Sequence, residues 1–111
     1  MHRIERIQTL IASTVGQLIV SKEIKDPRVC SLASVSRVQV SKDLGYAKIF
    51  ISGYLESRQL ENAVDGLNSA AGFIQARLGA VLKTRRTPRV QFFADNSIAE
   101  GFQLFDKIKT D

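Results

Sequence analysis

Residues 67–93, LNSAAGFIQARLGAVLKTRRTPRVQFF, confine the fold more than any other stretch of this chain. Leu67, Ala70, Ala71, Ile74, Leu78 and Val81 recur at three- and four-residue spacing, which places one buried stripe on a helix. Gly72 and Gly79 interrupt that helix at a cost of ~1 kcal/mol each relative to alanine. Thr87-Pro88 ends it. Residues 89–94 then alternate as a strand, with Val90 and Phe92 on one face and Phe93 on the other. The segment commits the chain to helices packed beside a sheet. It also carries Arg77, Lys83, Arg85, Arg86 and Arg89 with no acid between Asp65 and Asp95.

The remaining elements follow from the same periodicities. Ile4, Ile7, Leu10, Ile11, Val15, Leu18 and Ile19 form one face of a first helix over residues 3–21. Pro27 pushes Asp26 out of the helical region, so residues 22–29 are a connection. There Lys22, Lys25 and Arg28 bracket Glu23 and Asp26, either as a solvated loop or as a second phosphate-contact patch. Residues 30–41 read as a strand with Cys30, Leu32, Val38 and Val40 on one face, and a bulge near Ser34 reconciles the two halves. Residues 42–45 form a hairpin loop in which Gly45 is expected to supply the positive φ. Residues 46–54 alternate again, with Ala47, Ile49, Ile51 and Gly53 inward and Tyr46, Lys48, Phe50, Ser52 and Tyr54 outward. That outward set is either a base-stacking platform or cover for the sheet, and cover is the preferred reading.

Ser57 is the expected cap of the next helix. Its stripe of Leu60, Ala63, Val64 and Leu67 runs on through Ala70, Ala71 and Gly72, where one helix bends or two meet at a kink. Ser97 and Glu100 form a capping box for a last helix with Ile98, Phe102, Phe105 and Ile108 in phase. The expected order is α-β-β-α-α-β-α, an α+β fold in one domain over residues 1–111, with a three-stranded sheet and helices on one face.

At 111 residues the chain has the length of one domain, and its 44% hydrophobic content suits a single packed core. The net charge of +5 and a pI of about 9.7 suggest a polyanionic partner. A lone cysteine, Cys30, leaves no internal disulfide and fits the reducing cytosol; its expected role is a small buried hydrophobe. No stretch is apolar for the ~18 residues of a membrane span, and Glu5 in an amphipathic first helix argues against a secretory signal. A cytoplasmic protein without membrane attachment is expected.

Catalytic chemistry has little support. His2 is the one histidine, no CxxC pair or phosphate-cradling glycine loop is present, and no serine lies in a nucleophile elbow. No metal, no cofactor and no enzyme activity are expected. The arginine-dense segment points instead to nucleic acid, because guanidinium groups suit phosphate oxygens and also stack on bases. The competing reading is a solvated helix end favoured by the helix dipole. Contact by five cations with a single strand predicts a log-log salt slope of about −3.5.

Four segments resemble the bacterial ribosome-binding factor A family: IKDPRV (residues 24–29), VSKDLGYAKIFIS (40–52), SAAGFIQARL (69–78) and TPRVQFFADNSIAEG (87–101). The resemblance implies a type II KH-like domain in which an Ala-x-Gly interhelical kink, here Ala70, Ala71 and Gly72, replaces the GxxG loop of ordinary KH domains. It further implies a monomeric, non-catalytic assembly factor. Such a factor binds the free 30S subunit and assists late maturation of 16S rRNA, above all in the cold. An assembly GTPase or completion of the subunit would serve for release. The last expected helix ends close to Asp111, so the longer C-terminal tail of many relatives is expected to be missing and no role of that tail carries over. The RNA-contact residues expected are Arg77, Lys83, Arg85, Arg86 and Arg89, with Lys22, Lys25 and Arg28 as the second patch. Two alternatives stand beside this reading. One is a free-standing KH-like protein that binds single-stranded RNA or DNA, which the missing glycine loop disfavours. The other is a small phosphate-handling enzyme, which the missing catalytic groups disfavour.

Overall fold

The computed structural model of the protein describes residues 3–95. The expected capping box at Ser97 and the last helix lie outside the described residues. Within them the order is α1 (Arg3–Val20), β1 (Ser34–Val40), β2 (Tyr46–Ser52), α2 (Ser57–Ser69), α3 (Ala71–Leu82) and β3 (Arg89–Ala94). The sheet order is β1-β2-β3, with β1 and β2 antiparallel and β2 and β3 parallel. The parallel pair follows from the helical crossover between β2 and β3, since a short hairpin joins antiparallel strands only.

The three helices share one core with one face of the sheet. Ile11 and Val15 of α1, Leu67 of α2, Ile74 and Leu78 of α3, Ile49 and Ile51 of β2 and Phe92 of β3 are all but sealed from solvent. Leu10, expected on the buried stripe, is 41% exposed at its margin. Among the described residues no element packs on the opposite face of the sheet, where Arg37, Tyr46, Lys48, Arg89 and Gln91 are exposed.

Side-chain amides close both sheet edges. Gln8 of α1 accepts a hydrogen bond from the Val40 N–H at 3.0 Å. On the other edge, Asn68 accepts from the Phe92 N–H at 2.8 Å and donates to the Phe92 carbonyl at 3.1 Å, and Gln75 accepts from the Val90 N–H. Asn68 thus occupies the hydrogen-bonding place of a fourth strand and protects β3 from edge pairing.

Several local expectations are corrected. The first strand begins at Ser34, not at Cys30. Residues 30–33 form a turn, with the Ala33 N–H bonded to the Cys30 carbonyl, and leave Leu32 64% exposed. Gly53 dictates this turn, because the Leu32 carbonyl oxygen occupies the space that a Cβ on Gly53 would need and Gly53 has φ +145°. The bulge falls between Val35 and Arg37, at Ser36, just past the expected place. In the hairpin loop the positive φ belongs to Leu44 (61°), not Gly45. Gly45 instead leaves room for Asp43, whose carboxylate accepts the Gly45 N–H at 3.0 Å. Glu56, not Ser57, caps α2, and its N–H donates to the Gln59 side chain.

Helix α2 passes into α3 through the single residue Ala70 (φ −92°, ψ 9°). Its N–H still bonds to the Gly66 and Leu67 carbonyls, and its carbonyl accepts from Ile74. Two helices therefore meet with almost no loop. Gly66, one turn before the junction, is held against Val29 and Asp26 so closely that an added Cβ would come within 2.8 Å of the valine. The connection after α1 is thereby clamped to the α2–α3 junction. No helix among the described residues is long and apolar enough to cross a membrane.

Candidate nucleic-acid interface

Of the eight expected contact residues, Arg77 lies halfway along α3, which is about 18 Å long, and the other seven fall toward its two ends. At its C-terminal end, Lys83 closes the helix in the left-handed region (φ 53°, ψ 34°). The chain then folds back, so that Thr87 Oγ1 would stand 3.0 Å from a Cβ added at Gly79. The Thr84 hydroxyl donates to the Arg86 carbonyl at 2.6 Å and tightens this loop. The Arg89 N–H donates to the Gly45 carbonyl at 2.9 Å, which ties the loop to the β1–β2 hairpin. Lys83, Arg85, Arg86 and Arg89 are exposed, and among the described residues none has a carboxylate within ion-pair distance.

The hairpin brings Lys42 and Asp43 to this cluster. Asp43 is turned into its own loop. Its pKa is lowered because the carboxylate accepts the Gly45 N–H and then the Ser41 hydroxyl, with Arg86 adding a smaller electrostatic pull. Sequence reasoning passes over Lys42. Some forty residues separate it from Arg85, and only the register of the parallel pair, Tyr46 against Arg89, joins the two loops.

At the N-terminal end of α3 the surroundings differ. Helix α1 ends with Lys22 in the left-handed region (φ 60°), the Lys22 N–H bonded to the Ile19 carbonyl and the Glu23 N–H to the Leu18 carbonyl. This is a Schellman closure, with lysine where glycine is usual. The next residues line a groove of about 470 Å³ against Ser69, Ala70 and Phe73. Here Arg28 grips Asp26 in a two-point pair, Nε to Oδ1 at 3.0 Å and Nη2 to Oδ2 at 2.7 Å, and also reaches Ser69 Oγ. The Arg28 guanidinium holds the Asp26 carboxyl down at about 2.

Arg77, halfway along α3, is not free either. Its guanidinium pairs with Glu23 at 2.5 Å and lies 5.2 Å from the centre of the Phe73 ring. The Ser21 hydroxyl and then Arg77 lower the Glu23 pKa. The sequence shows no acid near Arg77 because Glu23 lies 54 positions away. The structure thus groups Lys83, Arg85, Arg86 and Arg89 beside the hairpin that carries Lys42, separates them from Lys22, Lys25 and Arg28, and leaves Arg77 paired between the groups.

Comparison with known proteins bears on what such a surface serves. The model of the family described as "Ribosome-binding factor A" matches residues 3–108. A protein of that name from Treponema denticola is 41% identical over 108 residues, covering 97% of this chain and 82% of its own. The crystal structure of ribosome-binding factor A from Thermus thermophilus superposes with a TM-score of 0.70 at 24% identity, over 84% of this chain and 97% of that one. A Thermus thermophilus ribosome-binding factor A homology model, fitted into a cryo-EM map of its complex with 30S, gives a TM-score of 0.58 at 24% identity, over 78% and 93%.

Proposed function

We propose that this chain, which belongs to the ribosome-binding factor A family, is a non-catalytic assembly factor that binds the free 30S subunit in the cytoplasm. The observation that carries this reading is the loop between α3 and β3, where four exposed cations have no described carboxylate within ion-pair distance and the hairpin that carries Lys42 is tied on through Gly45. Such a surface attracts a phosphate backbone and is weakened by salt. The homology model of a relative, fitted into the map of its 30S complex, supports the choice of partner.

In this reading the domain is a type II KH-like domain. The parallel β2–β3 pair and the α-β-β-α-α-β order are consistent with that arrangement. Ala70, Ala71 and Gly72 serve as its Ala-x-Gly kink in place of a GxxG loop. Lys22, Lys25 and Arg28 make a second, weaker contact around the groove at that junction. The factor acts as a monomer during late 16S rRNA maturation, with its largest effect in the cold. It shifts rRNA toward one arrangement by binding that arrangement better than others, and an assembly GTPase serves its release.

Sedimentation of a lysate through a salt-controlled gradient tests this. The expected result is co-migration with free small subunits and little with translating ribosomes. Absence from the small-subunit fraction at low salt would reject it. Retention of single-strand binding in that case would favour a free-standing single-strand-binding protein.

A further inference from the structure

The sheet face that no described element covers is not an ordinary polar surface. Solvated faces of mixed sheets alternate toward polar residues, yet this one carries Phe50 and Phe93 on neighbouring strands in direct register. Their ring centres are 5.6 Å apart and their planes differ by 29°. The Arg37 guanidinium, paired with Phe50 from the other side, lies 4.2 Å from the Phe50 ring centre. Guanidinium, ring and ring form a ladder across all three strands. A base can extend such a ladder at the Phe93 end, because an aromatic face is indifferent to which base it meets.

The charges on this face are arranged as well. Arg37 on β1, Lys48 on β2 and Arg89 on β3 stand on a diagonal, each offset by two residues from the next strand's partner, a step of about 7–8 Å. Among the described residues the carboxylate on this face is Asp95, at its end, which accepts a hydrogen bond from the Ser36 hydroxyl at 2.7 Å. Cross-strand aromatic pairing alone would explain the two rings, but not a diagonal of three cations. Arg89 also belongs to the loop cluster, so the two surfaces are continuous.

We infer that this sheet face, which no described element covers, is a contact surface for unpaired nucleic acid, with bases stacking on the Phe93 end of the ladder and phosphates following Arg37, Lys48 and Arg89. The inference rests on the reading that the chain binds rRNA, and assigns to it a single-stranded rather than a helical segment. Bases in a duplex are stacked on each other and cannot reach the rings.

The test is fluorescence anisotropy of the full chain with labelled decauridylate and with an RNA hairpin of equal charge. Phe93→Leu keeps apolar volume and removes the π face. It is expected to weaken decauridylate binding about tenfold with little change for the hairpin and no change in salt slope. Arg37→Gln with Lys48→Gln, at exposed positions, is expected to flatten the slope by about 1.4, and reads the face even where Phe93→Leu melts early. Native-like decauridylate binding by both variants would overturn the inference. If Lys83→Gln with Arg85→Gln and Arg86→Gln then still loses small subunits, the proposed function stands without it. Loss of small-subunit binding with decauridylate binding intact would also overturn it, in favour of a ribosomal protein on this face. A concentration-dependent dimer abolished by the same changes would overturn it in favour of a second copy.

Discussion

The two ends of α3 hold similar numbers of cations in opposite settings. At the C-terminal end, Lys83, Arg85, Arg86 and Arg89 have no carboxylate within ion-pair distance among the described residues, and Asp43 of the neighbouring hairpin is bound up in its own loop. At the N-terminal end, Arg28 is held by Asp26, and Arg77, halfway along the helix, bridges back to Glu23. Exposed ion pairs of this kind add little to stability, so their consequence is availability. A paired guanidinium must give up its partner before it can take a phosphate. Cation density along a sequence is therefore a poor measure of phosphate affinity, and the tertiary partner decides.

The strongest way to break this comparison is to remove the free group. Changing Lys83, Arg85, Arg86 and Arg89 to glutamine together is expected to weaken small-subunit or RNA binding by roughly a hundredfold and to flatten a single-strand salt slope by about 2.8. Melting should be close to that of the unsubstituted chain, since all four side chains are exposed. A folded variant with unchanged affinity would remove the distinction between the two ends.

A smaller change sharpens it. Glu23→Gln deletes the acid that holds Arg77 and leaves every cation in place. It is expected to raise RNA affinity several-fold and steepen the salt slope by about 0.7, as read from titrations at a series of salt concentrations. An unchanged slope would mean that Arg77 faces away from the partner whether or not it is paired.

The least change is expected in stability against pH. Asp26 titrates at about 2 in the folded chain, against 3.8 for an ordinary aspartate. Its contribution is thus complete above about 3.8 and fades as the pH falls towards about 2. Asp26→Asn should flatten the melting temperature over that window while leaving Arg28 without its partner. A profile as steep as that of the unsubstituted chain would show that the pair is not formed in solution.

Much of the architecture is legible because its signals are local. The stripes of α1, α2 and α3, except that Val81 is 43% exposed and Leu82 is buried in its stead, and the alternation of β2 and β3 each lie within a few turns or residues of one another. The helix break at Ala70 is marked by its small residues. The misreadings share one cause, a neighbour that the local pattern does not contain. Cys30 and Leu32 alternate as a strand would, but the backbone crossing over Gly53 turns them away. Gly45 reads as the left-handed residue of the hairpin, yet Leu44 takes that conformation while Gly45 makes room for the Asp43 carboxylate. Similarly, lysines rather than glycines hold the left-handed ends of α1 and α3, where a cation also suits the helix dipole.

Chain order alone determined that this protein would wrap helices over one side of a small sheet and gather cations after α3, because periodicity and composition act over neighbouring residues. Only the folded arrangement decided which cations are free. Charges interact through space, and the acid that occupies Arg77 and the hairpin that meets the Arg85 loop reach them from distant parts of the chain.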